Sequence, residues 1–117
     1  MHKVCGVKRM LLVAGFWLLV SGSLSFGQTN YYSKSSGDLD LQATWGTNTD
    51  GSGSAPANFT TANQVFNVRN NLSPSINNNW TVSGAGSKII IGDGTTSCVL
   101  TIPSSFILTG PTSISNN

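Results

Sequence analysis

The chain has 117 residues carrying six basic side chains, four acidic ones and one histidine, for a formal net charge of +2 with only 9% charged residues. Beyond residue 27 the balance reverses to Lys34, Arg69 and Lys88 against Asp38, Asp40, Asp50 and Asp93, a net charge of −1, with Cys98 the sole cysteine and neither histidine nor glutamate. That inventory argues against a basic nucleic-acid footprint, an internal disulfide, a histidine or paired-cysteine metal site and conventional acid–base catalysis.

In chain order, residues 1–27, MHKVCGVKRMLLVAGFWLLVSGSLSFG, read as a cleaved signal peptide. Lys3, Lys8 and Arg9 precede an apolar run over residues 10–20, which is shorter than the roughly 20 residues of a membrane-spanning helix. Ser25 and Gly27 are the small residues ahead of a cut before Gln28, and Cys5 lies upstream of the apolar run, where it cannot carry a lipid anchor at the cut. The mature chain is therefore expected to be secreted or delivered to the cell surface, with no membrane span after cleavage.

More than half of residues 28–117 are Ser, Thr, Asn or Gly, side chains that favour turns and compete with helical hydrogen bonds. The apolar fraction is low, but so is the net charge, so an ordered all-β fold is expected in preference to disorder. Residues 28–63 read as a lead-in or cap segment with Tyr31, Tyr32, Leu39, Leu41 and Trp45, and residues 46–58, GTNTDGSGSAPAN, as an exposed loop or linker. Because most Leu, Ile, Val and Phe residues follow residue 63, the core is expected in the second half. There, in a β-repeat region over residues 64–117, strands are predicted at 64–68, 80–83, 88–91, 98–102, 106–109 and 112–115, separated by Gly, Asn, Asp and Pro turns. A period of two puts Cys98, Leu100 and Ile102 on one face, with Val99 and Thr101 on the other, and gives Ile89 and Ile91 a common face.

Two architectures suit short strands at this spacing: a right-handed β-solenoid, in which each coil stacks on the one before, and a β-sandwich of hairpins. Few apolar residues per segment and many Asn, Ser and Thr for corner ladders favour the solenoid. GPTSISNN at the end reads as the start of a further coil, so the chain is expected to be the front end or a shortened copy of a longer protein, and an open β edge would permit self-association.

The stretches YYSKSSGDLDLQATWGTNTDGSGSAPANFTTANQVFNV, NNWTVSGAGSKIIIGDG and LTIPSSFILTG resemble the amino-terminal region of large secreted or cell-surface proteins of the Bacteroidetes type. The resemblance rests on Tyr31, Tyr32, Ser33, Gly37, Leu39, Trp45, Gly46, the turn at residues 50–53, Ala55, Pro56, Phe59, Trp80, Val82 and the turn at residues 92–94. It implies a β-solenoid, adhesin-like protein exported by the type IX route, and it implies no catalytic residues.

Individual candidates follow from the residue types. Tyr31, Tyr32, Trp45 and Trp80, among Asn and Thr donors, are the candidate glycan-binding aromatics, although tryptophan is more often core than surface. Asp50 in NTDGSGS and Asp93 in GDGTT are candidate calcium ligands, each with one carboxylate in its loop and neither in a recognised calcium-loop spacing. Asp38 and Asp40 in GDLDL would share one side of a strand, where a polar face is the plain reading and a carboxylate pair the sharper one. Asn58 in NFT and Asn79 in NWT fit an N-glycosylation pattern that matters only in a eukaryotic secretory route, and Cys98 reads as a small buried hydrophobe. The expectation is an exported structural or adhesive segment with no catalysis and no cofactor, its partner a cell-surface or extracellular polysaccharide. The alternative is a carbohydrate-binding module with exposed aromatics.

Overall fold

A computed structural model describes residues 27–110 and the backbone of residues 114–116; the expected signal peptide lies outside the described residues, apart from Gly27. The described chain is all-β, with one short 3-10 turn. Seven strands follow in order: β1 (Thr29–Ser33), β2 (Trp45–Gly46), β3 (Gln64–Val68), β4 (Trp80–Thr81), β5 (Lys88–Ile91), β6 (Leu108–Thr109) and β7 (Ile114–Asn116), with the 3-10 turn Gln42–Thr44 leading into β2.

Three sets of pairings organise the chain, and among the described strand pairs and the one isolated bridge all but β1–β2 are parallel. The first is a five-stranded sheet of order β2-β1-β3-β5-β7, in which β1, β3, β5 and β7 are parallel and β2 alone runs antiparallel, closing the outer edge of β1. Its register places Tyr31 opposite Phe66 and Phe66 opposite Ile89. In the second set, Leu39 donates its N–H to the Ser75 carbonyl (3.0 Å), Ser75 bridges Thr101 in parallel, and Val99 donates to Leu72 (3.1 Å). The third joins β4 to β6, with Trp80 donating to Ile107 (3.0 Å) and Val82 to Thr109 (2.9 Å), while Ser83 donates to Phe59 (3.2 Å). Antiparallel hairpins, on which a β-sandwich depends, are limited among the described strands to the two-residue β1–β2 pair.

Local chemistry explains why the chain turns between these strands. Asn63, immediately before β3, has φ 62°, a left-handed conformation that asparagine tolerates better than other side chains. Its N–H donates to Ala85 and its carbonyl accepts from Thr29, so this one corner joins three segments. At the next corner Gly84 is buried, and a Cβ there would collide with the Thr61 carbonyl, so only glycine allows that backbone approach.

The three sets share one core: Leu39, Trp45, Phe66, Val68, Ile76, Trp80, Val82 and Ile89 are all at most 2% exposed. Each such side chain contributes on the order of 1.5–3 kcal/mol by leaving water. Aromatic rings make its centre, with Trp45 edge-on to Phe66 at 5.1 Å, Phe59 tilted on Phe66 at 5.3 Å and Tyr31 stacked on Phe66 at 5.5 Å between centroids. Such pairs add about 0.5–1.5 kcal/mol each beyond burial.

Several expectations need correction. The core is not confined to the second half, because Leu39 and Trp45 of the lead-in segment complete it, two large side chains compensating for a scarcity of smaller ones. The 46–58 stretch is the mostly exposed loop expected past Gly46, but it is tied down at several points. Gly46, Gly51 and Pro56 are buried, Asn48 and Ser52 close a turn through two hydrogen bonds, and Asn70 donates to the Thr49 carbonyl (2.8 Å). Residues 98–102 form no strand beyond the bridge at Thr101. Cys98 and Leu100 are half-buried and Val99 and Thr101 exposed, as a period of two requires, but Ile102 is 43% exposed and precedes Pro103, which has no N–H to extend a ladder. The GDLDL carboxylates lie on a turn rather than a strand.

Candidate functional site

The four candidate aromatics are not brought together on a surface. Trp45 and Trp80 are each 1% exposed and stack on one another with centroids 5.6 Å apart, so they cannot serve as an exposed platform. The Trp45 indole N–H donates to the Leu39 carbonyl at 2.9 Å, whereas that of Trp80 is buried without a partner, as is the Gln64 side-chain oxygen. The tyrosines diverge because neighbours on a strand face opposite ways. Tyr31 turns inward onto Phe66, and Tyr32, half-buried, turns to the outer face of the sheet.

The alternation that buries Phe66, Val68 and Ile89 sets Asn67 and Ile90 on the opposite side in register with Tyr32, and on that side Val65, covered by its neighbours to 4% exposure, lies between Asn30 and the exposed Lys88. Asn67 donates to the Asn30 side-chain oxygen (3.2 Å) and to the Tyr31 carbonyl (3.1 Å), a side-chain link between β3 and β1. Arg69, one step past β3 in the same alternation, is fixed by its N–H donating to the Ser33 hydroxyl (3.1 Å), and its guanidinium lies 5.8 Å from the Tyr32 ring centroid. Its Nη2 is 3.9 Å from the Asp93 carboxylate, a long and partly solvated pair. Asn30, Asn67, Arg69 and Lys88 were not singled out from the sequence. The signal available was the alternation of residues 65, 67 and 69 away from Phe66 and Val68, but it becomes a surface only once the parallel register is known.

The calcium candidates act as turn acceptors. Asp93 accepts from the Thr95 and Thr96 N–H groups and from the Thr95 hydroxyl, each at 2.9 Å. These bonds, the backbone ones foremost and Arg69 least, hold its carboxyl down at about 2. The Ser52 hydroxyl (2.6 Å) and N–H (2.9 Å) likewise lower the Asp50 carboxyl. Among the described residues no group of three or more His, Cys, Asp or Glu side chains is placed to hold a metal ion.

Other candidates are also engaged in structure. Asp40 accepts from the Asn77 N–H (2.7 Å), tying the lead-in turn to the segment before β4, and the Asp38 carbonyl accepts from the Thr44 hydroxyl (2.6 Å). The Asn58 side-chain oxygen accepts from the N–H groups of Thr60 and Thr61, both at 2.9 Å, and that of Asn79 from the Ile107 N–H (2.9 Å). Cys98 is half-buried, its thiol donating to the Asn71 carbonyl at 3.4 Å, and burial pushes its pKa up. No described helix is long and apolar enough to cross a membrane. No protein-family model, curated protein or solved structure matches the chain.

Proposed function

We propose that the chain is an exported structural or adhesive segment built as a β-solenoid, whose work is to present a lateral surface rather than to turn over a substrate. The observation that carries this reading is the parallel pairing of segments that follow one another in sequence. Gln64 bonds Ser87, 23 residues on, and Ile107 bonds Asn79, 28 residues back, separations that suit circuits of chain laid one on the last. The same reading accounts for β2, which covers one edge of the stack and leaves the strand direction free to repeat at the other. Export rests on the charged, apolar and small-residue order of residues 1–27, and the adhesin-like resemblance agrees with both.

The test is to express the full chain with its leader in a secreting bacterial host. The medium should contain a product whose intact mass begins at Gln28, and beads coated with it should adhere to polysaccharide-coated surfaces. Retention of the uncleaved chain inside the cell would refute export, and beads that adhere to no polysaccharide would refute the adhesive role.

A further inference from the structure

We infer that the outward face of the first sheet, made by Asn30, Tyr32, Asn67, Arg69, Lys88 and Ile90, binds an acidic polysaccharide; this rests on the adhesive reading and names its ligand class. Two of the three cations beyond residue 27 stand on this face, although the segment as a whole has a net charge of −1. The third, Lys34, is engaged elsewhere, its ammonium donating to the Ala43 carbonyl at 2.8 Å. The carboxylate beside the face, Asp93, takes its three turn bonds on Oδ1 and meets Arg69 through Oδ2 only at 3.9 Å, so an incoming carboxylate at hydrogen-bond distance can compete for the guanidinium.

The geometry suits a chain of sugar rings. Parallel strands are spaced about 4.8 Å apart, so the face offers rows of side chains at a nearly constant interval. Arg69 and the Tyr32 ring supply an adjacent cation and an aromatic surface, and the exposed Asn30 amide supplies polar contacts. Lys88, across Val65 from Asn30, gives a second point charge on a neighbouring strand, so an extended polyanion meets both cations where a small monovalent anion meets one.

The probe is alginate, a uronate polymer, with dextran as its neutral counterpart, both applied to the secreted full-chain product by affinity electrophoresis at low and at physiological salt. Alginate should retard the protein, less so as salt rises. The pair Arg69→Gln with Lys88→Gln should weaken retardation by about tenfold, while Lys34→Gln leaves it unchanged. Circular dichroism of each variant identifies any that fails to fold, and for such a variant Lys88→Gln alone, on an exposed side chain, serves as the reading. Equal weakening by Lys34→Gln would reduce the effect to general charge and overturn the proposal. Retardation by dextran alone would overturn the acidic specificity while leaving the adhesive function standing, and retardation by neither polymer would count against both.

Discussion

Trp45 and Trp80 stack with ring centroids 5.6 Å apart and planes inclined by 28°, yet only Trp45 has a hydrogen-bond acceptor for its indole N–H. One ring is therefore held in the core by packing and by a polar bond within the lead-in segment, the other by packing alone. Truncating both to phenylalanine should expose the difference. Trp45→Phe should cost roughly 1–3 kcal/mol more than Trp80→Phe, because it strips the buried Leu39 carbonyl of its donor, whereas Trp80→Phe removes an N–H that was never satisfied. Urea unfolding of the two variants measures this, and equal losses would show that the Leu39 bond contributes nothing net.

Gly84 makes a second prediction about how tightly the chain turns. A methyl group there meets the Thr61 carbonyl, which belongs to a neighbouring backbone rather than to a flexible side chain. Gly84→Ala should destabilise the fold by about 1–3 kcal/mol or more, while Ser83→Ala, one residue earlier and exposed, should be close to neutral. Similar melting temperatures for the two variants would mean that the approach relaxes without cost.

Acid sensitivity should trace in part to Asp93. Its carboxyl is held at about 2, below the ordinary 3.8, so its stabilising contribution is present above the ordinary value and is lost as pH falls from there through about 2. Asp93→Asn keeps the side-chain oxygen that accepts from Thr95 and Thr96 but does not titrate. The stability difference between parent and variant should thus shrink on acidification over that window, as read by denaturant midpoints at stepped pH. A difference independent of pH would show that the carboxylate charge is immaterial to the turn.

Cys98 should resist modification. With burial raising its pKa, the reactive thiolate is scarce at neutral pH, and a disulfide-exchange reagent should label it at least about tenfold more slowly in the folded protein than in urea. Equal rates in the two conditions would place the thiol in solvent and contradict its packing.

Much of the strand content was legible. The segments predicted at 64–68 and 88–91 coincide with β3 and β5, because QVFNV and KIII are β-prone runs bounded by residues that turn the chain. The strands predicted at 80–83 and 106–109 are shorter in the structure, β4 and β6 having two residues each, and residues 114–115 of the last predicted strand fall within β7. The apolar pattern over these stretches reports facing but not pairing, and so runs past the ends of the ladders. Val82 is fully buried and Phe106 half-buried outside any strand, because core packing does not require a ladder on both sides.

The candidate site was less legible for the same reason. Residue type alone established that residues 28–117 hold few charges, no histidine and only short β-prone runs, since these properties are local and additive along the chain. Which neighbour each run pairs with, and in which register, depends on contacts between residues far apart in sequence, and a shift of one residue would exchange the inner and outer sets. The tertiary structure alone decided that Trp45 and Trp80, from separate strands, share a buried core, and that Tyr32 and Arg69 meet on an outer face, the latter because the parallel register of β1 on β3 directs alternate side chains to opposite sides.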